Sequence, residues 1–389
     1  MTTAREACDL LRDRLRERGF QPQRSGAETV AYCPRHEADG QRHKKSLSFK
    51  ISDDDKPVML GSHVDTVGTG GRYDGLYGVL AGLEACQTLN DAGVVTRRPL
   101  ALVAFTNEEG SRFAPYAMGS LVYVGGLGLD EAYAIRGIDG ATVGEELRRI
   151  GYAGEAKPGW LAPHAYLELH IEQGPILEDE GLVVAAVEAI TGLTWTEVTI
   201  TGRSGHAGTT PMHLRRDAAL AAAEVALFVR RLAQEIGGNQ KATVGRVELY
   251  PNLVNVIAER ATVMVDLRNT DGANLREAEQ RLTAFLDRLA AQEKVAISTR
   301  SLARFEPVIF PNEMVALVEA TAGELALPCR RLPSGAGHDA QMMARICPAS
   351  MIFVPSVGGL SHNVNELTLP EHLGAGANVL LHAAMKLAQ

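Results

Sequence analysis

The sequence predicts an α/β protein in which a larger domain with a mixed sheet is interrupted by a smaller α+β domain. Short apolar segments of strand length, such as residues 100–105, alternate with segments of helical periodicity, which is typical of a sheet covered by helices on both faces. Between residues 194 and 302 the predicted order changes to β-α-β-β-α-β, the ferredoxin-like arrangement. The chain has 389 residues, more than the roughly 250–300 at which a single hydrophobic core stops growing. We therefore expect two domains.

The larger domain is expected to comprise residues 1–192 and 306–389. Its elements follow from the spacing of apolar residues. Helices are predicted at residues 4–18, 76–89, 311–326, 338–345 and 371–388, and strands at residues 58–61, 100–105, 165–171, 183–190 and 350–354. Residues 20–50 show only a weak pattern, and residues 115–160 predict short helices joined by Gly-rich turns.

The inserted domain is expected to comprise residues 193–305. Strands are predicted at residues 194–201, 242–249, 261–268 and 294–302, and helices at residues 217–236 and 273–292. The long Ala-rich helix and an exposed strand edge of this domain would allow a second copy to pair with it. We therefore expect the protein to be a homodimer.

The composition is that of an ordinary globular protein, with 46% hydrophobic and 22% charged residues. A net charge of −8 argues against a nucleic-acid-binding body. Five cysteines without CxxC pairs predict reduced thiols rather than a disulfide framework. No apolar signal segment and no membrane-length apolar run is found, so we expect a cytoplasmic protein without a nucleic-acid or membrane partner.

Residues 61–75 carry the first candidate metal ligands. His63, Asp65 and Asp74 follow the apolar segment at residues 58–60, which predicts a buried strand. Imidazole and carboxylate groups at the end of a strand suit a divalent ion such as zinc, which accepts nitrogen and oxygen ligands. The intervening glycines allow the chain to turn back, so that Asp74 can approach His63.

Three further stretches place polar side chains at the ends of predicted strands. Glu108 and Glu109 follow the strand at residues 100–105, His170 ends the strand at residues 165–171, and His362 lies in a loop past residues 350–354. In open α/β sheets, functional groups gather at the carboxyl ends of strands.

Taken singly, each of these stretches has an ordinary explanation. A histidine at a strand end is commonly a hydrogen-bonding residue, and paired glutamates are commonly surface charges. Their repetition at four predicted strand ends instead indicates a site for two zinc-like ions that share a carboxylate and activate a water molecule. The spare glutamate of the pair would be the general base.

Longer motifs that contain these residues resemble a known family. They are residues 61–66 (GSHVDT), 70–75 (GGRYDG), 106–113 (TNEEGSRF), 170–174 (HIEQG), 205–212 (GHAGTTPM), 255–257 (NVI), 266–268 (DLR), 334–340 (SGAGHDA) and 361–363 (SHN). They closely resemble the hydantoinase/carbamoylase branch of the M20 metallopeptidase-like amidohydrolases, from about residue 58 to the C-terminus. The resemblance implies a phosphorylase/hydrolase-like catalytic domain with an inserted ferredoxin-like lid and dimerisation domain.

The resemblance also implies roles for the residues around the metal ions. His63, Asp74, Glu109, His170 and His362 would bind two divalent ions per subunit, with Asp74 bridging them. Asp65 would orient the imidazole of His63, and Glu108 would act as base on the bridging water. Zinc is the first expectation, and manganese, cobalt or nickel would also tolerate nitrogen and oxygen ligands.

Four residues are implied in substrate contacts. His206 of the inserted domain would polarise the scissile carbonyl. Gln173, Asn255 and Arg268 would hold the substrate carboxylate, a task for which the planar guanidinium of arginine is well suited.

Some of these positions keep an alternative explanation. Arg268 is also explained as a surface arginine at the end of an edge strand. His206 and Asn255 lie in polar loops, where turn formation is the default role. His338, which precedes Asp339 at a predicted helix start, could be a helix cap or could support the metal site.

Two segments depart from the family pattern. Residues 24–50 lack the usual Asp-x-x-Gly-Asn pattern and have SGAET at residues 25–29. Ala258 stands where proline usually follows Asn-Val-Ile. All the metal positions match, so we expect the core chemistry to be kept.

The expected function is therefore a metal-dependent amidohydrolase that cleaves a small linear ureido or amido carboxylate, with an N-carbamoyl-L-amino acid as the first expectation. The alternatives are allantoate or β-ureidopropionate as substrate, and an M20 dipeptidase or N-acyl amino acid amidase. A non-catalytic protein that binds a metal or a ligand is the remaining alternative.

Overall fold

The computed structural model describes the backbone of residues 21–25 and 28–32 and the whole of residues 56–389. The helix predicted at residues 4–18 lies outside the described residues. The strands are β1 (Gln21–Ser25), β2 (Glu28–Tyr32), β3 (Val58–His63), β4 (Leu100–Phe105), β5 (Ala165–Ile171), β6 (Val184–Ile190), β7 (Gly192–Thr201), β8 (Gly205–His206), β9 (Lys241–Tyr250), β10 (Val256–Ile257), β11 (Arg260–Asn269), β12 (Ala296–Phe305), β13 (Val308–Ile309), β14 (Cys329–Ser334) and β15 (Ala349–Val354).

The helices of the described residues alternate with these strands. They are α1 (Leu76–Asp91), α2 (Met118–Tyr123), α3 (Leu129–Ala134), α4 (Val143–Arg149), α5 (Ile176–Asp179), α6 (Ala218–Ile236), α7 (Gly272–Glu293), α8 (Asn312–Glu324), α9 (Asp339–Met343) and α10 (Pro370–Leu387). None of the helices between residues 56 and 389 combines the length and the apolar character that crossing a lipid bilayer requires.

The chain divides into two compact units. The first comprises Phe310–Gln389 together with the described residues up to Glu188, and the second is Ala189–Ile309. The roles of the second unit as a lid and as a dimerisation domain remain predictions.

The large sheet has the strand order β1-β2-β4-β3-β5-β15-β6-β13, and β14 pairs with β6. The four central strands β4, β3, β5 and β15 are parallel to their neighbours among these four. Antiparallel pairing of β2 with β4 and of β6 with β15 makes the sheet mixed. The predicted α/β class with a mixed sheet is therefore confirmed.

The four central strands are buried along their whole length. Strands covered on both faces have continuous apolar runs, which explains why β4 was predicted with the bounds it has in the structure. The predicted bounds of β5 also match, although Glu168 and His170 interrupt its apolar run. In the parallel register His63 lies opposite Phe105, and His170 lies opposite Phe353. The polar residues at the ends of these strands therefore come to one edge of the sheet.

The sequence did not predict β1, β2 or β14. The strands β1 and β2 pair with each other, and β2 extends the sheet beyond β4. Their sequences, QPQRS and ETVAY, lack a continuous apolar run, and β14 has the mixed sequence CRRLPS. Pairing with the sheet rather than local periodicity makes these segments strands.

The second unit is built on an antiparallel sheet with the order β12-β7-β11-β9. The helices α6 and α7 pack against it through apolar residues such as Val225, Val229 and Leu282. The side chains of Asp217 and Asp271 accept hydrogen bonds from the first free amides of α6 and α7, the usual way in which aspartate begins a helix. The predicted ferredoxin-like order is confirmed.

Candidate metal and catalytic site

Asp74 is the side chain around which the candidate site is built. It is 3% exposed and lies just before α1. Its Oδ1 is 3.5 Å from Nε2 of His63 and 3.1 Å from Nε2 of His170, and its Oδ2 is 3.1 Å from Nε2 of His362. One carboxylate thus faces three imidazoles, which come from the end of β3, from β5 and from the loop after β15.

Gly75 allows this close approach. Its φ of +68° lies in the left-handed region, and a Cβ at this position would be 2.3 Å from Cε1 of His63. Its amide nitrogen is 3.1 Å from Nε2 of His170. Because a side chain at this position would overlap the His63 ring, the turn from Asp74 into α1 requires glycine.

Backbone carbonyls determine which ring nitrogens of two histidines can bind a cation. Nδ1 of His63 is 3.0 Å from the carbonyl oxygen of Asp65, and Nδ1 of His170 is 2.8 Å from that of Ile171. A carbonyl can only accept a hydrogen bond, so both Nδ1 atoms carry the proton. In the neutral rings the lone pairs of both Nε2 atoms then face Asp74 Oδ1, and a ring donates a hydrogen bond to Asp74 when Nε2 is protonated as well. Such opposed acceptors require a cation or a proton between them, and this donor set fits a divalent ion.

A second group of ligands shares Asp74. Nε2 of His362 is 3.2 Å from Oε2 of Glu109, and Oε1 of Glu109 is buried without a hydrogen-bond partner in the described part of the chain. A buried carboxylate oxygen without a partner is costly, which fits an oxygen that serves as a metal ligand. The ligand atoms of His63, Asp74 and His170, and those of Asp74, Glu109 and His362, lie within 4.8 Å of one another in each group. We call these five residues the Asp74 cluster.

Asp65 lies between β3 and the paired glutamates. Its Oδ1 accepts from the backbone N–H of Glu108 and its Oδ2 from that of Glu109, each at 3.1 Å. Its carbonyl contacts His63 as described above, whereas its carboxylate is 3.9 Å from the same ring nitrogen. Asp65 therefore contacts His63 mainly through its backbone, and its carboxylate positions the turn that presents both glutamates.

Glu108 is buried close to the cluster, with Oε2 3.7 Å from Nε2 of His63. Burial raises the pKa of Glu108 well above its usual value, and the charge of His63 opposes that shift. A carboxylate whose pKa is raised is a stronger base than an ordinary glutamate, which suits a group that takes a proton. Burial also works against the ionisation of Asp74, but hydrogen bonds from His170, His362 and His63 lower the pKa of Asp74 far below its usual value.

The amide of Gln173 contacts the cluster directly. Its Nε2 donates to Asp74 Oδ2 at 3.0 Å and lies 3.3 Å from Oγ of Ser361. Its backbone φ is +56°, in the left-handed region. The sequence predicted Gln173 as a substrate-binding residue, and in this structure its amide nitrogen is bound to Asp74. A role toward substrate stays a prediction for this residue.

Glu366 was not predicted, although it contacts the same loop. Its carboxylate accepts hydrogen bonds from the backbone of Arg72 and Asp74, and it lies four residues after His362. One signal in the sequence could have found it. Glu366 is the first acidic residue after residues 346–365, which contain no Asp, Glu, Lys or Arg.

His338 lies behind the cluster. It occupies the residue before α9, but its side chain makes no capping hydrogen bond. Its Nε2 is 2.9 Å from Oγ of Ser334, and its ring centroid is 4.5 Å from that of His170. Burial, followed by the charge of His170, lowers the pKa of His338 well below its usual value. Of the two explanations that the sequence left open, the structure supports packing against a cluster histidine rather than a side-chain cap.

Glu168 was also missed by the sequence analysis. It is fully buried in β5, and its two oxygens accept from Oγ of Ser62 at 2.6 Å and from the backbone N–H of Ala340 at 2.8 Å. Burial raises the pKa of Glu168 and of its buried neighbour Asp339. These carboxyl groups connect β3, β5 and α9 beneath the cluster.

The second unit holds the other predicted residues. His206 is exposed on β8, and its Nδ1 accepts from the backbone N–H of Gly208 at 3.1 Å and from that of Thr209 at 3.3 Å. In the neutral ring Nε2 therefore carries the proton and can donate a hydrogen bond. Asn255 is exposed, and its carbonyl accepts from the backbone N–H of Ala207.

Arg268 is already paired within its own strand. Its guanidinium contacts both carboxylate oxygens of Asp266 at 2.8–3.1 Å, and both side chains are about one-quarter exposed. The planar fork is thus held in one orientation with part of its surface open to solvent. This arrangement leaves its predicted role toward a substrate carboxylate untested.

Comparisons with known proteins identify the family. The model of the peptidase family M20/M25/M40 matches residues 59–386. The chain belongs to this family, and its site lies at the end of the sheet described above.

The relatives place the chain within one part of that family. It is 42% identical to an N-carbamoyl-L-amino-acid amidohydrolase of Rhizobium meliloti, over 86% of this chain and 80% of that protein. It is 34% identical to an allantoate amidohydrolase of Bacillus subtilis, over 86% of this chain and 82% of that protein. The crystal structure of a hydantoinase/carbamoylase family amidase from Burkholderia multivorans has a TM-score of 0.90 and 40% identity, over 99% of this chain and 90% of that one. The predicted resemblance to the hydantoinase/carbamoylase branch is confirmed.

Proposed function

We propose that this protein is a metal-dependent amidohydrolase that cleaves a C–N bond of a small linear ureido or amido carboxylate, with an N-carbamoyl-L-amino acid as the preferred substrate. The observation that carries the proposal is the Asp74 cluster, in which one carboxylate joins two groups of three ligands beside a buried glutamate. The relatives named above act on compounds of this class, which supports the assignment.

The residues that would hold two divalent ions are those of the Asp74 cluster. His63 and His170 would bind one ion, Glu109 and His362 the other, and Asp74 both. Bound ions of this kind polarise a carbonyl group and lower the pKa of water. Zinc suits the three imidazoles and two carboxylates, and manganese, cobalt or nickel remain alternatives.

Glu108 would act as the general base and then as the general acid of the reaction. It would take a proton from the attacking water and give it to the leaving nitrogen as the C–N bond breaks. With an N-carbamoyl amino acid, water adds to the carbonyl carbon, the amino acid leaves, and the remaining carbamic acid yields ammonia and carbon dioxide. Nε2–H of His206 would donate to the carbonyl oxygen as negative charge develops there.

Arg268 would bind the carboxylate of the substrate, together with Asn255 and Gln173. The side chain of Arg268 is about one-quarter exposed, and a planar guanidinium can donate two parallel hydrogen bonds to a carboxylate, which supports this proposal. Substrates without a carboxylate should therefore bind weakly.

The test is turnover of a panel of ureido acids by metal-loaded protein. N-carbamoyl-L-amino acids, β-ureidopropionate and allantoate are compared with ammonia release as the readout, and the Glu108→Gln variant serves as the control. Ammonia from the N-carbamoyl-L-amino acids is expected. If none of the panel releases ammonia, the proposed substrate class is wrong.

Two alternatives give different results in the same assay. Preference for allantoate would fit the relatives of that name, and release of an amine without ammonia from N-acyl amino acids or dipeptides would indicate an amidase or a dipeptidase. A protein that binds metal and turns over none of these compounds would be a binding protein.

We also propose that the second unit joins two copies into a homodimer in the cytoplasm. The long helices α6 and α7 and the open edges of β9 and β12 support this. Sedimentation measured alongside activity at decreasing concentration tests it, and a fully active monomer would contradict it.

A further inference from the structure

We infer that Glu366 is a positioning residue that fastens the loop carrying Asp74 to the loop carrying His362. It would thereby hold the ligand atoms of these two residues at the distance that a shared metal site requires. This inference rests on the proposed metal-dependent function. It concerns a side chain that would touch neither the ions nor the substrate.

The carboxylate of Glu366 binds three consecutive backbone amides. Its Oε1 accepts from the N–H of Arg72 at 2.7 Å, of Tyr73 at 2.7 Å and of Asp74 at 3.2 Å. The residue is 2% exposed, so water does not compete for these bonds. A side-chain oxygen of this reach can accept from neighbouring backbone amides that have no other partner in the loop.

The second oxygen of the same carboxylate reaches the other loop. Oε2 of Glu366 is 3.0 Å from Oγ of Ser361, the residue before His362. The hydroxyl of Ser361 also lies 3.2 Å from Asp74 Oδ2, so it contacts both carboxylates. One more link joins the loops, from the hydroxyl of Thr69 to the carbonyl of His362 at 2.7 Å.

These bonds matter because neither loop is held by the sheet. Asp74 lies between β3 and α1, and His362 lies between β15 and α10, in segments without strand pairing. The loops are about 290 residues apart in the sequence, so no local turn can bring them together. His63 and His170, in contrast, are set by paired strands. Within the described residues, the Asp74–Glu109–His362 group takes two of its three ligands from loops that the side chain of Glu366 links.

The length of the side chain at position 366, rather than its charge, should decide how strongly a substitution weakens the link between the two loops. Glutamine keeps the length of the side chain and one acceptor oxygen for the three amides. Aspartate keeps the charge but is one methylene shorter, so it cannot span from residues 72–74 to Ser361. Glu366→Gln and Glu366→Asp therefore separate positioning from electrostatics.

Two measurements test the inference. The first is hydrogen exchange of peptides covering residues 71–75 in metal-free protein. The second is titration with Co²⁺, followed by visible absorption. We expect Glu366→Asp to speed exchange of these amides and to weaken Co²⁺ binding by about 10- to 100-fold, the usual cost of losing a group that supports a ligand. Glu366→Gln should retain most of the protection and affinity.

The exposed Glu371, five residues further on, supplies the matched control, since Glu371→Asp should change neither readout. The inference is overturned if Glu366→Asp behaves as wild type, or if Glu366→Gln is as impaired as Glu366→Asp. Hydrogen exchange needs neither metal nor substrate. The two proposals can therefore fail separately. If the variants show the predicted differences in exchange but the wild-type protein turns over none of the substrates, the proposed function is wrong and the positioning role of Glu366 stands.

Discussion

The Asp74 cluster and the predicted substrate residues of the second unit differ in how they are held. His63, Asp74 and His170 are 3% exposed or less and contact one another. His206 is exposed, and its ring accepts hydrogen bonds from two amides of its own loop, whereas Arg268 is paired with a neighbour in its own strand. The cluster is held by the core of the sheet, whereas the residues of the second unit lie on a surface.

This difference separates two tasks. Groups that must meet within about 3–4 Å gain from rigid strands and buried hydrogen bonds, which place them before substrate arrives. Exposed groups on short strands and loops can adapt to different substrates without loss of the core. Changes in the cluster should therefore affect metal binding and the chemical step, and changes in the second unit should affect substrate use.

The largest effect should come from metal removal. Dialysis against dipicolinate is expected to abolish turnover, and added zinc should restore it. The metal-free protein should also unfold at lower temperature, because an ion that binds only the folded state stabilises it by about 2.7 kcal/mol at 100 times its Kd. Calorimetry and metal analysis check this. Full activity in metal-free protein would show that the Asp74 cluster is not a catalytic metal site.

Glu108→Gln should give the next largest effect. Loss of a general base is expected to lower kcat by about 10²- to 10⁴-fold. Metal content and Tm should change little, because Glu108 is not one of the cluster ligands. If metal content falls together with kcat, Glu108 acts as a ligand and the assignment of the glutamate pair is wrong.

His206→Ala should reduce kcat by about 10²- to 10³-fold, the usual cost of removing one donor to a developing oxyanion. Metal binding should be unaffected, since the residue belongs to the other unit. The exposed His213 offers a matched control on the same loop, and His213→Ala should be close to wild type. Equal loss in both variants would point to loop structure rather than to a hydrogen bond.

Arg268→Lys should mainly raise KM. A hydrogen bond to a charged group contributes about 1.5–3 kcal/mol, which corresponds to a factor of about 10–150. Lysine keeps the charge but loses the bidentate geometry. Steady-state kinetics would show this, with the exposed Arg300→Lys as control. A fall in kcat at unchanged KM would argue against a role in binding the substrate carboxylate.

The smallest effect concerns pH and the metal-free protein. Hydrogen bonds to Asp74 and Glu109 raise the pKa of His362 to about 10. Since this pKa is above the ordinary value of about 6.5, the stabilisation is complete below pH 6.5 and is lost as pH rises toward 10.

Urea unfolding of wild type and His362→Asn between pH 6.5 and 10 measures this contribution. The difference in unfolding free energy between the two proteins should shrink as pH rises. A constant difference would mean that His362 is not charged in the metal-free site. Because His362 is half-exposed, solvent screening keeps the effect small.

The sequence by itself determined the central strands and the residues at their ends. The uninterrupted apolar run of β4 and the mostly apolar run of β5 indicate burial on both faces, so these strands and the positions of Glu108, Glu109 and His170 could be predicted. The β-α-β-β-α-β order of the second unit followed in the same way from local periodicity. The family motifs then added expected roles that periodicity does not contain.

Only the tertiary structure decided which side chains support these ligands. Glu366 binds amides 292–294 residues away, and Asp65 holds the turn of the paired glutamates more than 40 residues away. The pairing of Arg268 with Asp266, and the carbonyls that leave Nε2 of His63 free, also depend on the folded backbone. Local patterns report whether a residue is buried. The partner of a buried polar group depends on how distant loops close, and no local pattern contains that information.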